Sequence, residues 1–382
     1  YITGSSLLTP ALWIASVTHE VLYMRLGNAD YSGGRMVAAN GFGGTADATP
    51  DLPSVAFTLP TSTNNFIPVV EGRELNLYWP NFMTASVPED RLHLDINCAE
   101  GSQMQRGFRF SPTSADAGII SMNMWAMTQD RETILAQNFP TIRCRPLVWP
   151  ITPVSRTVLV IGDSITATGR SIAETMALDN YDTNITVTFV GSNTGTVADS
   201  GGTNRAVACE AISGWGFSTF STSTNTAWTT IGGAARTGSP FIVGGTNFNF
   251  AGYLTNQSIT MASGDSVIIN LGVNDWFSSD SDETFTTASQ TALGHLSTWI
   301  TSIKAAVSGV RIGICLMIPP SASQDAFATS YGTGQTRTGH ERNRRQWNDA
   351  LIAAYDTATV AGVYLIPLHV GVDTENNFLS TS

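Results

Sequence analysis

Charged residues are scarce in this sequence, at 13% of 382 residues, and lysine occurs only once, as Lys304. Acidic residues outnumber basic ones, so the formal net charge is −11. Such a charge repels phosphate backbones and anionic bilayers. The basic residues are scattered apart from Arg342, Arg344 and Arg345. We therefore expect no nucleic-acid partner.

Cysteine is also rare, and long apolar runs are missing. The four cysteines form no C-x-x-C pair and no cluster with histidine at ligand spacing, so neither a metal nor another cofactor is predicted. Cys98 and Cys144 could pair in an oxidising compartment or stay reduced, whereas Cys315 lies in the apolar run RIGICLMI and is expected to be packed. No stretch approaches the roughly 18 apolar residues that a membrane span needs, so we expect no membrane insertion.

The rest of the composition indicates globular folding, since 42% of the residues are hydrophobic. The chain is longer than one hydrophobic core usually serves, which predicts two domains. Residues 1–145 carry short alternating or apolar runs broken by Gly, Pro, Asn and Asp, a pattern typical of an all-β, sandwich-like accessory domain. Residues 146–155 are rich in proline and are predicted to be a linker. Residues 156–382 form the second predicted domain.

In this second domain apolar strands alternate with helical stretches, which predicts an α/β fold with a parallel sheet flanked by helices. The predicted strands are 156–161, 185–190, 266–271, 310–318 and 363–367, and the predicted helices are 169–178, 283–307 and 340–355. Residues 193–264 interrupt the pattern with a polar, glycine-rich insertion. We expect a loop whose aromatic side chains form a binding rim. Those aromatics are Trp215, Phe217, Trp228, Phe241, Phe248, Phe250 and Tyr253.

One segment combines a strand, a serine and a helix start. The run VLVIG leads into Asp163 and Ser164 and then into a predicted helix. This order places a hydroxyl at the carboxyl edge of a parallel sheet, where α/β proteins bind ligands, and the helix start offers backbone N–H groups to a developing oxyanion. Taken alone, the same residues equally fit a strand-to-helix turn in which the serine is an N-cap.

Three segments together resemble the conserved blocks of the SGNH (GDSL-like) hydrolases, in the family's order. LVIGDSITATG is similar to the block that holds the nucleophile, at Ser164. EAISGWGF is similar to the block whose glycine N–H binds the oxyanion, at Gly214 with Gly216 as the alternative, and NLGVND is similar to the block whose asparagine, here Asn274, does the same. Each of the last two alone would fit a turn. The resemblance covers about residues 156–373 and implies a flavodoxin-like sheet and a serine esterase without a cofactor.

The family's last block, Asp-x-x-His, is missing after the fifth predicted strand. The pattern occurs at Asp90 and His93, upstream of Ser164, which we treat as coincidence. His369 ends the strand YLIPLH but has no aspartate three residues earlier. We predict that the general base is either His369 or a histidine beyond Ser382, where the family places this block, and that residues 1–382 without it are nearly inactive. The other histidines, which are expected to be structural, are His19, His295 and His340.

The resemblance predicts a carbohydrate esterase that removes acetyl groups from a surface polysaccharide, with a glycan or small ester as substrate. Residues 1–145 are expected to bind or position a glycan or a neighbouring subunit. The sequence leaves open whether the chain forms a homo-oligomer or part of a virion assembly. Similar proteins occur in phage tails and among exported bacterial esterases, so the expected location is extracellular or on a virion. The alternative is a structural or receptor-binding virion component without turnover, because a fold does not guarantee a function.

Overall fold

The computed structural model describes residues 12–16, 21–24, 52–62, 65–87, 89–147, 153–179, 184–245, 247–331, 335–356 and 360–374. Its contacts divide the chain into two units, each discontinuous in sequence. The smaller unit consists of Tyr1–Phe57, Met83–Asn97 and Asn123–Phe139, and the larger unit consists of Thr58–Phe82, Cys98–Met122 and Pro140–Ser382. That residues 1–145 form a domain of their own stays a prediction, and part of the predicted linker 146–155 lies outside the described residues.

The first part of the chain contributes short strands. Their bounds are β1 (Leu12–Ser16), β2 (Val21–Met24), β3 (Val55–Phe57), β4 (Ile67–Val70), β5 (Leu75–Tyr78), β6 (Met83–Ala85), β7 (Leu92–Cys98), β8 (Ser102–Met104), β9 (Gly107–Phe110), β10 (Gly118–Thr128), β11 (Ile134–Asn138) and β12 (Thr141–Arg145), with the helix α1 (Trp79–Phe82) after β5. In the smaller unit β1 pairs with β2, β3 with β6, and β10 with β11, all antiparallel. In the larger unit β4 and β12 are parallel, and β5, β9 and β8 form an antiparallel sheet. A sandwich arrangement of these strands stays a prediction.

The largest sheet has seven strands and lies in the larger unit. The strands after residue 153 are β13 (Val154–Gly162), β14 (Ile185–Val190), β15 (Asn193–Ala198), β16 (Asn204–Ala211), β17 (Ala227–Thr229), β18 (Ala235–Thr237), β19 (Ser266–Asn270), β20 (Arg311–Cys315) and β21 (Val363–Ile366), of which β17 and β18 form a separate hairpin. The order across the sheet is β15-β16-β13-β19-β20-β21, and β14 pairs with the first half of β13. β15 is antiparallel to β16, and the other pairs are parallel. The predicted α/β architecture with a parallel sheet is therefore confirmed.

Helices cover both faces of this sheet. They are α2 (Ser164–Ala167), α3 (Arg170–Asp179), α4 (Phe217–Thr222), α5 (Phe250–Asn256), α6 (Val273–Trp276), α7 (Asp282–Ala306), α8 (Gln324–Tyr331) and α9 (Arg337–Tyr355), and a 3-10 turn spans Leu368–Gly371. Successive side chains of a strand point to opposite faces. Leu159 and Ile161 therefore join the core that contains Trp299 of α7, whereas Val160 packs with Ile172 of α3. Because both faces are covered, β13 and β19 read as continuous apolar runs.

The predicted helix 283–307 corresponds to α7, whose local sequence explains both its start and its buried face. It begins at a capping box between Ser281 and Thr284, which satisfies backbone donors that the helix leaves open. Leu296, Trp299 and Ile303 follow at helical spacing and are all fully buried. No helix in the described ranges is long and apolar enough to cross a membrane.

The prediction of an aromatic binding rim in residues 193–264 is wrong. All the aromatics named for it are buried, and several pack on Trp299 of α7, with Phe248 stacked at 4.5 Å between ring centroids. The Trp299 indole N–H also donates to Ser221 Oγ at 2.9 Å. The segment is not a structureless loop either, since it contributes two hairpins and the helices α4 and α5. The polar composition of the segment predicts an exposed loop, but its aromatic rings cover the apolar face of α7.

All four cysteines are unpaired, including Cys98 and Cys144. Cys315 lies at the end of β20 and is 3% exposed, which confirms that it is packed in the core. Burial also raises the pKa of the Cys315 thiol to about 12, so it stays protonated and unreactive at neutral pH.

Candidate active site

Ser164 is the first residue of α2 and follows β13 directly. Asp163 is the N-cap, and its carboxylate accepts a hydrogen bond from the Ile165 backbone N–H at 3.0 Å. Ser164 is therefore not the N-cap, which the alternative interpretation as a simple strand-to-helix turn required. Asp163 is fully buried, whereas Ser164 is exposed. The turn thus presents a serine side chain to solvent at the carboxyl end of a parallel strand.

Three strands that carry the predicted site residues end side by side. Gly162, the last residue of β13, lies opposite Asn270 at the end of β19 and next to Ala211 at the end of β16. The Asn270 amide donates to Thr166 Oγ1 of α2 at 3.1 Å, and the Ile212 N–H donates to the Gly162 carbonyl at 2.9 Å. These bonds join the loops beyond the three strands at one edge of the sheet.

Gly214 lies in the loop after β16, Asn274 lies in α6 just after β19, and one hydrogen bond connects these two segments. The Asn274 side-chain amide donates to the Trp215 carbonyl at 2.9 Å, which leaves its second N–H available to another acceptor. Gly214 is exposed, has a φ of 79° and has open space where a side chain would stand. Its backbone is therefore accessible to a ligand. The oxyanion roles of Ser164, Gly214 and Asn274 stay predictions.

Gly216, the alternative oxyanion donor, occupies a different position. It is the buried N-cap of α4, and a Cβ there would lie 2.4 Å from Oδ2 of Asp275. The same Asp275 carboxylate accepts hydrogen bonds from the Phe217 and Ser218 backbone N–H groups at 2.8 and 3.1 Å. Gly216 therefore makes room for a carboxylate that ties the 214–218 loop to the residue after Asn274. The sequence does not predict this contact, although Asp275 directly follows the predicted site residue Asn274.

Two carboxyl groups with raised pKa values lie near this edge, the fully buried Asp163 and the half-buried Asp275. Burial, with the nearby charge of Asp275 adding to it, raises the pKa of Asp163 to about 6. Among the described residues, the second carboxylate oxygen of Asp163 has no hydrogen-bond partner. Burial also raises the pKa of Asp275, against the hydrogen bonds from Ser218 and Phe217. The residue before the serine therefore changes charge in mildly acidic solution.

Replacing Asp163 by asparagine should change how stability depends on pH. The folded pKa of about 6 lies above the ordinary value of 3.8, so the contribution of Asp163 to stability is fully present below pH 3.8 and is lost as the pH rises through 6. A shift of this size corresponds to about 3 kcal/mol. We expect the free energy of unfolding of Asp163→Asn, relative to wild type, to rise by about 2 kcal/mol between pH 4 and pH 7 in urea titrations, because part of the contribution is already lost at pH 4.

A carboxyl with the opposite shift provides the control for this measurement. Hydrogen bonding from Ser200 lowers the pKa of Glu174, a surface residue on α3. Its contribution to stability is therefore present above its ordinary pKa and is lost as the pH falls, so Glu174→Gln should show a pH trend of opposite sign. Parallel pH profiles for wild type and Asp163→Asn would contradict the assignment.

Adding one methyl group at Gly216 should disturb the site without touching the nucleophile. Because the new Cβ would overlap the Asp275 carboxylate, we expect Gly216→Ala to lower the free energy of unfolding by about 1 to 3 kcal/mol and to reduce kcat. Gly294 in α7 is the matched control, since it is exposed and has open space around a Cβ. Gly294→Ala should stabilise the protein by about 0.5 to 1 kcal/mol. Equal effects of the two changes in chemical denaturation would contradict the interpretation.

His369, the histidine considered as the base, is fully buried. Its Nε2 lies 2.9 Å from the Thr58 carbonyl oxygen, and burial, with the charge of Arg344 adding to it, lowers the pKa of its ring to about 3. Arg344, also fully buried, pairs with Glu341 and donates to the Asn81 carbonyl at 2.9 Å. These groups hold residues 58–82 to the large sheet. Within the described ranges, no histidine forms a hydrogen bond with Ser164.

His340 fits the expectation of a structural histidine. It is 7% exposed and packs among the rings of Trp276, Phe277 and Phe327 at 5.3 to 5.8 Å between ring centroids. Burial lowers the pKa of its ring to about 4, so it is neutral at physiological pH. In the described part of the chain no group of three histidine, cysteine or acidic side chains could hold a metal ion.

Similarity to known proteins is found among solved structures. No protein-family model matches the chain. No curated protein matches it either. Among solved structures, the chain is similar to a carbohydrate esterase family 2 enzyme plus carbohydrate binding domain from Corynascus thermopiles (Myceliophthora fergusii). The identity is 13%, the match covers 84% of this chain and 91% of that chain, and the TM-score is 0.29. A likeness of this degree carries no argument about the activity of this chain.

Proposed function

We propose that this chain is a serine hydrolase that cleaves carboxylic esters, with Ser164 as its nucleophile. One observation carries the proposal: an exposed serine follows a parallel strand directly, at the edge where the segments of Gly214 and Asn274 are joined by a hydrogen bond. Acyl transfer needs a nucleophile and several donors around one oxygen, and this edge supplies residue types suited to both tasks.

In the proposed reaction, Ser164 Oγ attacks the carbonyl carbon of the ester. The alcohol leaves, an acyl-enzyme forms, and water then releases the acid. The backbone N–H groups of Ser164 and Gly214 and the amide of Asn274 donate to the oxyanion from about 3 Å. Asp275 acts as a positioning residue, because its bonds to Phe217 and Ser218 set the course of the loop that begins at Gly214.

We assign this hydrolase to the SGNH type. The strand order β14-β13-β19-β20-β21 follows the 2-1-3-4-5 order of flavodoxin-like sheets, which supports the assignment. The three sequence segments that resemble the family's blocks lie at the carboxyl ends of β13, β16 and β19, where such sheets bind ligands. The agreement of motif order with strand position is the second support for the proposal.

For the substrate we propose an acetylated carbohydrate, with the protein acting outside the cell or on a virion. The support is the sequence resemblance together with a composition poor in charge and rich in Gly, Ser, Thr and Asn, which is typical of exported β-rich proteins. The net charge of −11 also disfavours polyanionic substrates.

A fluorophosphonate ester tests the proposal directly, because it reacts with an activated serine and marks the residue covalently. We expect peptide mapping of the labelled full-length natural protein to place the adduct on Ser164, and an aryl acetate to be hydrolysed by the unlabelled protein. Labelling of another serine, or glycan binding without ester hydrolysis, would overturn the proposal, and the second result would favour a binding component without turnover.

A further inference from the structure

The small sheet of β5, β9 and β8 has one buried face and one exposed face. Its buried face consists of side chains that are at most 9% exposed, namely Leu75, Leu77, Phe108 and Phe110. On the other face, Asn76 lies opposite Arg109, and Tyr78 and Met104 both lie opposite Gly107 of the central strand. Because residues alternate along a strand, these side chains share one surface.

A cavity of about 270 Å³ opens on this face. Tyr78 and Met104 stand on either side of Gly107, which has no side chain to fill the space between them. Glycine is required there for another reason as well, since a Cβ would lie 2.0 Å from the Leu77 carbonyl oxygen. The volume is just below the roughly 300 Å³ at which pockets for drug-sized ligands begin, so the cavity suits one small ring.

The polar groups at one end of the cavity are already held in place. The Glu74 carboxylate pairs with the Arg109 guanidinium and accepts a hydrogen bond from the Asn76 amide at 2.8 Å. Fixed acceptors and donors therefore lie beside an aromatic ring and a thioether, and Met104 is 51% exposed. Burial, with the charge of Asp373 adding to it, raises the pKa of Tyr78, so its hydroxyl stays protonated and can donate as well as accept.

The strand that carries Tyr78 also contacts a segment at the carboxyl end of the large sheet. Strand β5 packs against the turn Leu368–Gly371, which follows the carboxyl end of β21. Three strand spacings separate β21 from β13, which is roughly 14 Å at about 4.8 Å per strand. A glycan chain is longer than this separation of the two strands, whereas a single small ester is shorter.

We propose that this cavity is a subsite for one neutral hexopyranose unit of a glycan, with the apolar face of the sugar ring against Tyr78 and Met104 and its hydroxyls on Glu74, Asn76 and Arg109. The inference rests on the proposed function for the identity of the glycan as substrate, but the binding itself does not require catalysis. A sugar hydroxyl both donates and accepts, which matches a carboxylate placed beside a guanidinium and an amide. The Glu74 carboxylate is paired with the Arg109 guanidinium, so this pair offers a sugar hydrogen-bonding groups without a net charge.

The test measures binding separately from hydrolysis. Isothermal titration calorimetry on the Ser164→Ala protein uses hexasaccharides of glucose, mannose and galactose, with hexagalacturonate as the charged comparison. We expect at least one neutral hexasaccharide to bind, and Tyr78→Ala to weaken it by about tenfold because the stacking surface is lost. Met104→Ala should weaken it as well, whereas Tyr78→Phe keeps the ring and should stay within about threefold.

Ile119→Ala is the matched control, since Ile119 is a 71% exposed apolar side chain on β10, outside the cavity, and its removal should leave the affinity unchanged. Each variant is first compared with its parent by thermal unfolding. Three results would overturn the subsite. They are that no neutral hexasaccharide binds, that Tyr78→Ala and Met104→Ala bind it as tightly as the parent protein does, or that only hexagalacturonate binds. Loss of esterase activity is scored separately on an aryl acetate, so failure of the proposed function and failure of the subsite give different results.

Discussion

The change Ser164→Ala should reduce aryl acetate hydrolysis by the full-length natural protein by about a million-fold in kcat, the loss seen when a nucleophile is removed from a catalytic group that acts as a unit. The substitution removes the oxygen that forms the acyl-enzyme. It should leave the fold intact, because Ser164 is exposed and the cap of α2 is Asp163. Steady-state hydrolysis at saturating ester, with thermal unfolding as a check on folding, measures both expectations.

Ser171→Ala is the matched control for this experiment. Ser171 is another exposed serine, in the first turn of the neighbouring helix α3, and its loss should not change kcat. A Ser164→Ala protein that keeps more than about a hundredth of the wild-type rate would remove Ser164 from the role of nucleophile, because the expected loss is far larger.

The change Asn274→Ala should lower kcat by about 100- to 1000-fold, the usual cost of removing one donor from an oxyanion hole. The effect is expected mainly in kcat, since the oxyanion exists in the transition state and not in the bound ester. KM should change little. Single-turnover and steady-state kinetics on an aryl acetate separate the two parameters.

Asn274 also has a structural contact, which this variant removes at the same time. Its amide donates to the Trp215 carbonyl, and the loss of such a bond should cost about 1 kcal/mol of stability. The control is therefore Asn270→Ala, which also removes an amide hydrogen bond at this edge, the one that Asn270 donates to Thr166 Oγ1. We expect a similar loss of stability there with a much smaller fall in kcat. Equal kinetic losses in the two variants would show that Asn274 only supports the loop.

The strands and long helices could be predicted from the sequence because their periodicity is local. The predicted strand 185–190 coincides with β14, and α7 begins one residue before the predicted helix 283–307, at a cap that the sequence itself supplies. In both cases the pattern depends on neighbours a few residues away. The burial of the aromatic rings in residues 193–264 could not be predicted in this way, because it depends on Trp299, which lies far along the chain.

The candidate site divides in the same way. The motifs around Ser164, Gly214 and Asn274 could be read from the sequence, because each is a short run of residues whose types suit one chemistry. The difference in exposure between Gly214 and Gly216 could not, since it depends on the Asp275 carboxylate that fills the space above Gly216. The sequence places His369 at the end of a strand, whereas β21 ends at Ile366 and His369 lies in the turn that follows, in contact with the distant Thr58 carbonyl.

The sequence by itself determined the alternation of strands and helices, the order of the three motif segments and the low, acidic charge, because these follow from residue type and near neighbours. Only the tertiary structure decided which strands lie side by side and that the aromatic insertion is core. It also decided that Asp163 and His369 are buried and that both, like the half-buried Asp275, have shifted pKa values. The burial and the hydrogen-bond partners of these side chains depend on residues far away in the sequence, so no local pattern encodes them.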